Sequence, residues 1–434
     1  MTRKSIYIVD GSRTPFLKAK GKPGPFAASD LATAAGRALL MRQPFEPAEL
    51  DEVILGAAAP GVDEVNIGRV AALRMGCGQK VPGWTVMRNC ASGMQALDSA
   101  IANIECGRSH LVLAGGVDAL SRAPLLFSEA MTHWFAHFYA AKTPVAKAAH
   151  LPKLPVPHLA PVIGIMKGLT DPNVGLVMGQ TAENLAYRFG ITREQMDEFS
   201  VRSHQRVTKA QEKGLFSGVD GLPAEIVPLF DERGHVYKDD DGVRKDSSLE
   251  SLAKLKPFFD KKYGNVTAGN SSQVTDGGAW LLLADEGAVK RHGLEPVGKL
   301  VDSQWAALDP AQMGLGPVHA STPILQRHGL GLNDIDAWEI NEAFAAQVLG
   351  CIEAWKSDEY CRSEFGLEGA MGELDLEKLN VDGGAIALGH PVGASGARIV
   401  LHLLHVLKRT GGTRGIASIC IGGGQGGAML VEVV

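Results

Sequence analysis

Short apolar runs rich in β-branched residues recur along this chain, each followed by a longer stretch with helical spacing. The runs are Tyr7-Ile-Val9, Glu52-Val-Ile-Leu55, Leu111-Val-Leu113, Trp280-Leu-Leu-Leu283, Trp338-Glu-Ile340 and Ile416-Ala-Ser-Ile419. Segments such as Met94–Ile104 and Ala397–Leu407 separate them and place apolar residues on one helical face. A near-continuous apolar run reads as a strand buried on both sides, and strand–helix alternation predicts an α/β layered fold.

The pattern also repeats. Ala91-Ser92-Gly93 opens a helix that leads to a strand and Ala114-Gly-Gly116; Ala394-Ser395-Gly396 opens a helix that leads to a strand and Gly422-Gly-Gly424. Upstream, Leu50-Asp51-Glu52-Val53 before one strand resembles Ile335-Asp336-Ala337-Trp338 before another. Two pairs in the same order predict a duplicated α/β unit. Its first half spans residues 1–122 and is completed by 250–285; its second half spans 286–434. Residues 123–249 break the pattern and read as an inserted loop domain. Leu125 to Lys167 is rich in Pro, His and Lys, with Trp134, Phe135, Phe138 and Tyr139 interleaved. Met178 opens charged helical sequence that runs to about Lys213, and a polar turn follows at Asp239-Asp-Asp-Gly242.

Length and composition bound the function classes. A chain of 434 residues exceeds one ordinary core and implies two or three domains. A net charge of −5 gives no electrostatic reason for nucleic-acid binding. No apolar stretch reaches the ~18 residues of a membrane span. Met1 to Lys4 lead straight into Ser5-Ile-Tyr-Ile-Val9 with no secretory signal. The six cysteines form neither a C-x-x-C pair nor a zinc spacing, so they read as reduced thiols, and the cytoplasm is the expected location. The 52 glycines cluster in short runs, as where backbone approaches a ligand.

Four constellations carry chemistry. Cys90, in Arg88-Asn-Cys90-Ala-Ser-Gly93, lies where a strand meets a helix N-terminus, a setting that favours a thiolate; its other reading is a small buried hydrophobe. His390, in Gly389-His390-Pro391, is flanked by glycine and reads as a base toward a thiol or as a solvated turn. Cys420 precedes Ile-Gly422-Gly-Gly, a second thiol before a turn rich in N–H groups, which suits an oxyanion or a phosphate; the nucleotide-binding fingerprints are missing. Asn341, in Glu339-Ile-Asn341-Glu342-Ala-Phe344, can orient a water or cap a helix.

Taken in order, NCASG, VTAGNSSQVTDG, NEAFAAQ, GGAIALGHPVGASGARI and CIGGGQGGAM resemble the thiolase family, from Arg13-Thr-Pro-Phe16 to the C-terminus. The resemblance implies a thiolase fold of two duplicated α/β halves in five layers, α-β-α-β-α. It also implies reversible, ping-pong cleavage of 3-ketoacyl-CoA, with coenzyme A as co-substrate and no metal or other cofactor. In that family Cys90 matches the acylated nucleophile, His390 its base, and Cys420 the thiol that exchanges a proton with the acetyl α-carbon. Asn341 matches the residue that holds an oxyanion-hole water, while the N–H groups of Cys90 and Gly422 match a second hole. Ser272, Met178 and Phe344 match contacts to the pantetheine arm.

Two departures stand out. Short-chain members often carry a histidine where this chain has Val177, and fatty-acid oxidation subunits, which residues 247–260 resemble, typically carry histidine in place of Asn341. The resemblance implies a homodimer or homotetramer, and a dehydrogenase/hydratase subunit as a candidate partner. Residues 125–167 read either as an interfacial surface for membrane or partner, or more simply as a lid and oligomer-contact loop. A biosynthetic acetoacetyl-CoA-forming enzyme is the alternative direction. A decarboxylating ketoacyl synthase and a non-catalytic lipid carrier fit less well, because Cys420 stands where the synthases have a histidine and a carrier needs neither thiol.

Overall fold

The computed structural model describes residues 4–218 and 222–434; Met1–Arg3, part of the stretch read for a secretory signal, lie outside the described residues. The principal elements of the first part are β1 (Ile6–Arg13), α1 (Ala28–Met41), β2 (Glu52–Gly56), α2 (Ile67–Met75), β3 (Gly83–Val86), α3 (Ser92–Glu105) and β4 (Leu111–Ala119). An excursion follows with α4 (Glu129–Ala140), α5 (Met178–Phe189) and α6 (Arg193–Glu212), and the chain returns as β5 (Thr275–Asp285). The second part runs β6 (Gly298–Ala307), α7 (Gly316–His328), β7 (Ala337–Ile340), α8 (Ala345–Lys356), α9 (Ala385–Leu388), α10 (Val392–Thr410), β8 (Arg414–Ile421) and β9 (Gln425–Val433).

The pairings show the duplication directly. In the first part β2 is parallel to β4, β4 antiparallel to β5, and β5 antiparallel to β1. In the second, β7 is parallel to β8, β8 antiparallel to β9, and β9 antiparallel to β6. Ala91-Ser-Gly93 and Ala394-Ser-Gly396 lie at the N-terminal ends of the equivalent helices α3 and α10. The glycine runs are not equivalent in the same way. Gly115 and Gly116 lie inside β4, opposite Trp280 and Ala279, whereas Gly422–Gly424 make the turn between β8 and β9.

The layers fall as expected, with one addition. The inner faces of both sets of strands close on α3 and α10, α1 and α2 cover the outside of the first set, and α7 and α8 cover the outside of the second. The strands nevertheless form one 10-stranded sheet in the order β7-β8-β9-β6-β1-β5-β4-β2-β3, with the short strand Leu17–Lys18 on β5 outside that path. The join is the antiparallel pairing of Ile6, Tyr7 and Ile8 with Leu300, Lys299 and Gly298.

Helix α10 is buried at every position from Gly393 to Leu407, as a helix sandwiched between two layers must be. Its polar residues are therefore paired. Arg398 donates to Glu339 at 2.9 Å, and His402 lies 2.8 Å from Glu225. The Asp-rich stretch read from sequence as a polar turn is also partly interior. Asp240 accepts from Arg13 at 2.7 and 3.0 Å and from the backbone N–H of Phe16, and Arg13 is fully buried. Between Leu125 and Gly168 only Met131 is buried, and Trp134 stacks on Phe138 with ring centroids 5.1 Å apart. Among the described residues no helix is long and apolar enough to cross a membrane.

Candidate active site

The site forms where α3 and α10 cross. A Cβ on Gly93 would lie 2.7 Å from the carbonyl oxygen of Gly393, and one on Gly396 would lie 2.6 Å from the amide of Met94. Only glycine permits main chain to meet main chain in this way. The crossing brings the N-terminal ends of two helices from opposite halves of the chain into contact, and Cys90 and His390 precede those ends.

Cys90 follows β3 through Asn89, a non-glycine residue with φ of 44°. The Asn89 side chain donates to the carbonyl of Gly422 at 2.9 Å, which fastens the turn to the β8–β9 loop. Ser92 Oγ accepts from the Arg88 amide and donates to the Asn89 carbonyl, closing the first turn. Cys90 keeps partial exposure, whereas Cys420 is buried. Burial pushes the Cys90 thiol above its ordinary range. The N–H groups of Gly422 and of Cys90 itself pull it down, and the Asp118 carboxylate pushes it up. The thiolate expected from the helix terminus is thus not the resting form, because desolvation outweighs the amide donors. Cys420 is held well above the ordinary thiol range by burial and by the nearby thiols of Cys90 and Cys351.

His390 is set by its backbone and by one hydroxyl. Its N–H donates to the Gln273 carbonyl at 3.0 Å, and Nδ1 lies 2.6 Å from Ser395 Oγ. Ser395 gives its own proton to the Pro391 carbonyl at 3.1 Å, so it accepts from Nδ1–H. This hydrogen-bond network assigns the proton to Nδ1 and leaves Nε2 as a lone pair. Nε2 is buried and has no protein partner among the described residues. Burial, with a smaller contribution from the Arg398 charge, lowers the imidazole pKa to about 4. The ring is therefore neutral across the physiological range, with a free lone pair on Nε2.

The remaining candidates lie on other strand ends, helix starts and loops. Asn341 stands just past β7, fully buried, its backbone N–H on the Ser418 carbonyl and both side-chain amide atoms without a protein partner among the described residues. A buried amide with both ends free is aimed at a water or a ligand. Met178 begins α5, and its sulfur lies 3.2 Å from where a Cβ on Gly422 would stand. Phe344 packs edge-on against Phe259, with centroids 5.9 Å apart, and bridges to Ser271 beside the half-buried Ser272. Among the described residues no group of three or more His, Cys, Asp or Glu side chains is placed to hold a metal ion.

Residues 6–287 match the model of the thiolase N-terminal domain and residues 294–433 that of the thiolase C-terminal domain. The chain belongs to the thiolase family. Across 429 residues it is 39% identical to a 3-ketoacyl-CoA thiolase of Serratia proteamaculans (strain 568), covering 99% of this chain and 97% of the relative. It is 37% identical over 430 residues to the mitochondrial trifunctional enzyme subunit beta of Bos taurus, covering 99% and 88%. Human mitochondrial 3-ketoacyl-CoA thiolase, solved in complex with CoA, superposes with a TM-score of 0.83 at 35% identity, covering 99% of this chain and 98% of that one. Bacillus anthracis acetyl-CoA acetyltransferase gives 0.83 at 37%, covering 100% and 99%. Thiolases are acyltransferases, and this chain is one.

Within this thiolase fold, several residues that shape the site carried weak sequence signals. Ser395 lies five positions after His390 in a glycine-rich string, and only the fold reveals that it selects the imidazole tautomer. Asp118, at the end of β4, accepts from the N–H groups of Ala58, Ala59 and Gly393, and burial raises its pKa to about 6. It thereby fastens the start of α10 to the other half of the molecule. Arg398 and Glu339 form a buried pair behind the histidine, with burial raising the Glu339 pKa to about 7 against the pull of Arg398.

Proposed function

We propose that this thiolase cleaves 3-ketoacyl-CoA with coenzyme A, giving acetyl-CoA and a shortened acyl-CoA through an acyl group on Cys90. The observation that carries the reading is the unpartnered Nε2 lone pair of His390, left free by the tautomer Ser395 selects, at the crossing that also bears Cys90. His390 takes the Cys90 proton as the sulfur attacks the 3-keto carbon. The bond between C2 and C3 breaks, and its electron pair goes to C2, which takes a proton from Cys420. Acetyl-CoA leaves. A second coenzyme A gives its thiol proton to the Cys420 thiolate and attacks the acyl-cysteine, and the proton held on His390 returns to the departing Cys90 sulfur. Ping-pong kinetics follow.

Two oxyanions arise in this sequence. The N–H groups of Cys90 and Gly422 serve the one formed at the acylated carbonyl, and a water on Asn341 together with His390 serves the enolate. Loss of one such donor typically costs ~3–4 kcal/mol of barrier. Ser272, Met178 and Phe344 flank the pantetheine arm. Support for a degradative role comes from the relatives named 3-ketoacyl-CoA thiolase and trifunctional enzyme subunit beta. We assign the acting form to a homodimer or homotetramer in the cytoplasm, with a dehydrogenase/hydratase subunit as partner and residues 125–167 as lid and contact loop. The same chemistry run backward forms acetoacetyl-CoA, and Val177, in place of the histidine of short-chain members, favours longer substrates.

Cys90→Ser tests the assignment. The variant is expected to fold normally and to lose CoA-dependent cleavage of 3-ketoacyl-CoA; full activity in it would remove the mechanism. Cys420→Ala is expected to retain acylation of Cys90 from acyl-CoA while blocking carbon–carbon cleavage. Comparing kcat/KM from C4 to C16 substrates separates the degradative from the biosynthetic reading.

A further inference from the structure

Glu342 follows Asn341 in the sequence and is 1% exposed, yet among the described residues it forms no hydrogen bond to a cation. Burial raises its carboxyl above the ordinary range, against the donors around it and the more distant Arg398. A buried carboxylate is costly unless its oxygens are satisfied. Here they are, by groups from two separate parts of the chain. Oε1 accepts from Asn380 Nδ2 at 2.8 Å; Oε2 accepts from Ser203 Oγ at 2.6 Å and from the Ile386 N–H at 3.1 Å. Ser203 Oγ in turn accepts from the Gly384 N–H at 3.1 Å.

These partners are not scattered. Asn380, Gly384 and Ile386 lie on the loop that ends in His390, while Ser203 lies on α6 of the excursion. Asn380 is itself fixed to β7: its Oδ1 accepts from the Ile340 N–H at 2.9 Å and its Nδ2 also donates to the Ile340 carbonyl at 3.0 Å. At the far end of α9, Gln273 Nε2 donates to the Ile386 carbonyl at 3.2 Å, and the Gln273 carbonyl receives the His390 N–H. The short helix preceding His390 is therefore gripped at both ends, by Glu342 at its start and Gln273 at its finish.

We propose that Glu342 is a positioning residue for the reaction: it holds the loop bearing His390 in register with Asn341, and through Ser203 it ties that register to helix α6. The inference rests on the reading of His390 as the base. It goes beyond that reading by assigning a function to a carboxylate that touches no reacting atom.

Glutamine at this position is isosteric but wrong. All three partners donate, and Asn380 cannot flip because Ile340 fixes both ends of its amide. Whichever way the new amide turns, its NH₂ faces an N–H. The loop must shift, and a displacement near 1 Å at a reacting group costs on the order of 10²-fold.

The test is steady-state thiolysis by Glu342→Gln and Ser203→Ala beside the wild type, with rates expressed per Cys90 alkylated at completion by iodoacetamide in the unliganded enzyme, as read by mass spectrometry. Glu342→Gln is expected to lower kcat roughly 10- to 100-fold while KM for coenzyme A stays within about twofold. Ser203→Ala, which keeps the carboxylate and two of its donors, is expected to lower kcat roughly threefold at unchanged KM. Wild-type kcat in Glu342→Gln, or a loss that vanishes when expressed per alkylatable Cys90, overturns the proposal. Should Glu342→Gln fail to fold, Ser203→Ala decides, and wild-type kcat there overturns it. Absence of thiolysis in the wild type is a different failure, since it removes the functional reading and the proposal with it.

Discussion

Ser395 Oγ sits 2.6 Å from His390 Nδ1 with its own proton committed to the Pro391 carbonyl, so a single hydroxyl decides which imidazole nitrogen is basic. Ser395→Ala removes that decision. Either tautomer then becomes accessible, and the Nδ1–H loses its acceptor inside a buried site. We expect kcat to fall roughly tenfold, about 1.4 kcal/mol of barrier, with the thermal midpoint little changed. Steady-state kinetics on purified variant and wild type check this.

The pH profile follows from the same ring. A free imidazole titrates near 6.5, and burial takes His390 to about 4. Its folded pKa is depressed, so the protein binds this proton less readily folded than unfolded. The matching stability is full above the unfolded value and is lost as pH falls through the folded one. Activity follows the neutral ring. The acid limb of kcat/KM is expected closer to 4 than to 6.5. Measuring kcat/KM from about pH 5 to 8 decides it, and a half-maximal point near 6.5 would contradict the burial described here.

Arg13 and Asp240 join the first strand to the excursion through a fully buried pair. Asp240→Ala leaves a guanidinium with one carboxylate, Glu225, in a site with no water access. Breaking a buried pair from one side typically costs about 3–5 kcal/mol. A drop of that size in unfolding free energy is expected by urea titration, with the slope unchanged. A loss below about 1 kcal/mol would mean that Glu225 alone satisfies the arginine.

Much of this molecule is legible in its sequence. The strand runs at Tyr7, Glu52, Leu111, Trp280, Trp338 and Ile416 all lie within strands, because burial on both faces leaves a dense apolar signature. The duplication was visible in Ala91-Ser-Gly93 and Ala394-Ser-Gly396, since a helix crossing at van der Waals distance demands small residues at fixed places. What stayed hidden depended on partners distant in the chain. Asp240 resembles any surface aspartate until Arg13 is brought to it, and Glu342 resembles part of a helix start until Asn380 and Ser203 close around it. The charge state of Cys90 also could not be read locally, because the donors at the helix terminus argue one way and the burial supplied by the other half of the chain argues the other.

At the crossing of α3 and α10 the two halves meet peptide group to peptide group at Gly93 and Gly396, with only the Cβ atoms of Met94 and Ala397 beside the contact. A joint of that kind has almost no adjustable part. Substitutions elsewhere can widen, narrow or recharge the approach to the sulfur, but they have little leverage on the spacing between the two helix ends that follow Cys90 and His390. The fold thus separates what is done from what it is done to: if the proposed pantetheine contacts hold, divergence toward new acyl chains proceeds around Met178, Phe259 and Phe344 while the joint stays as it is.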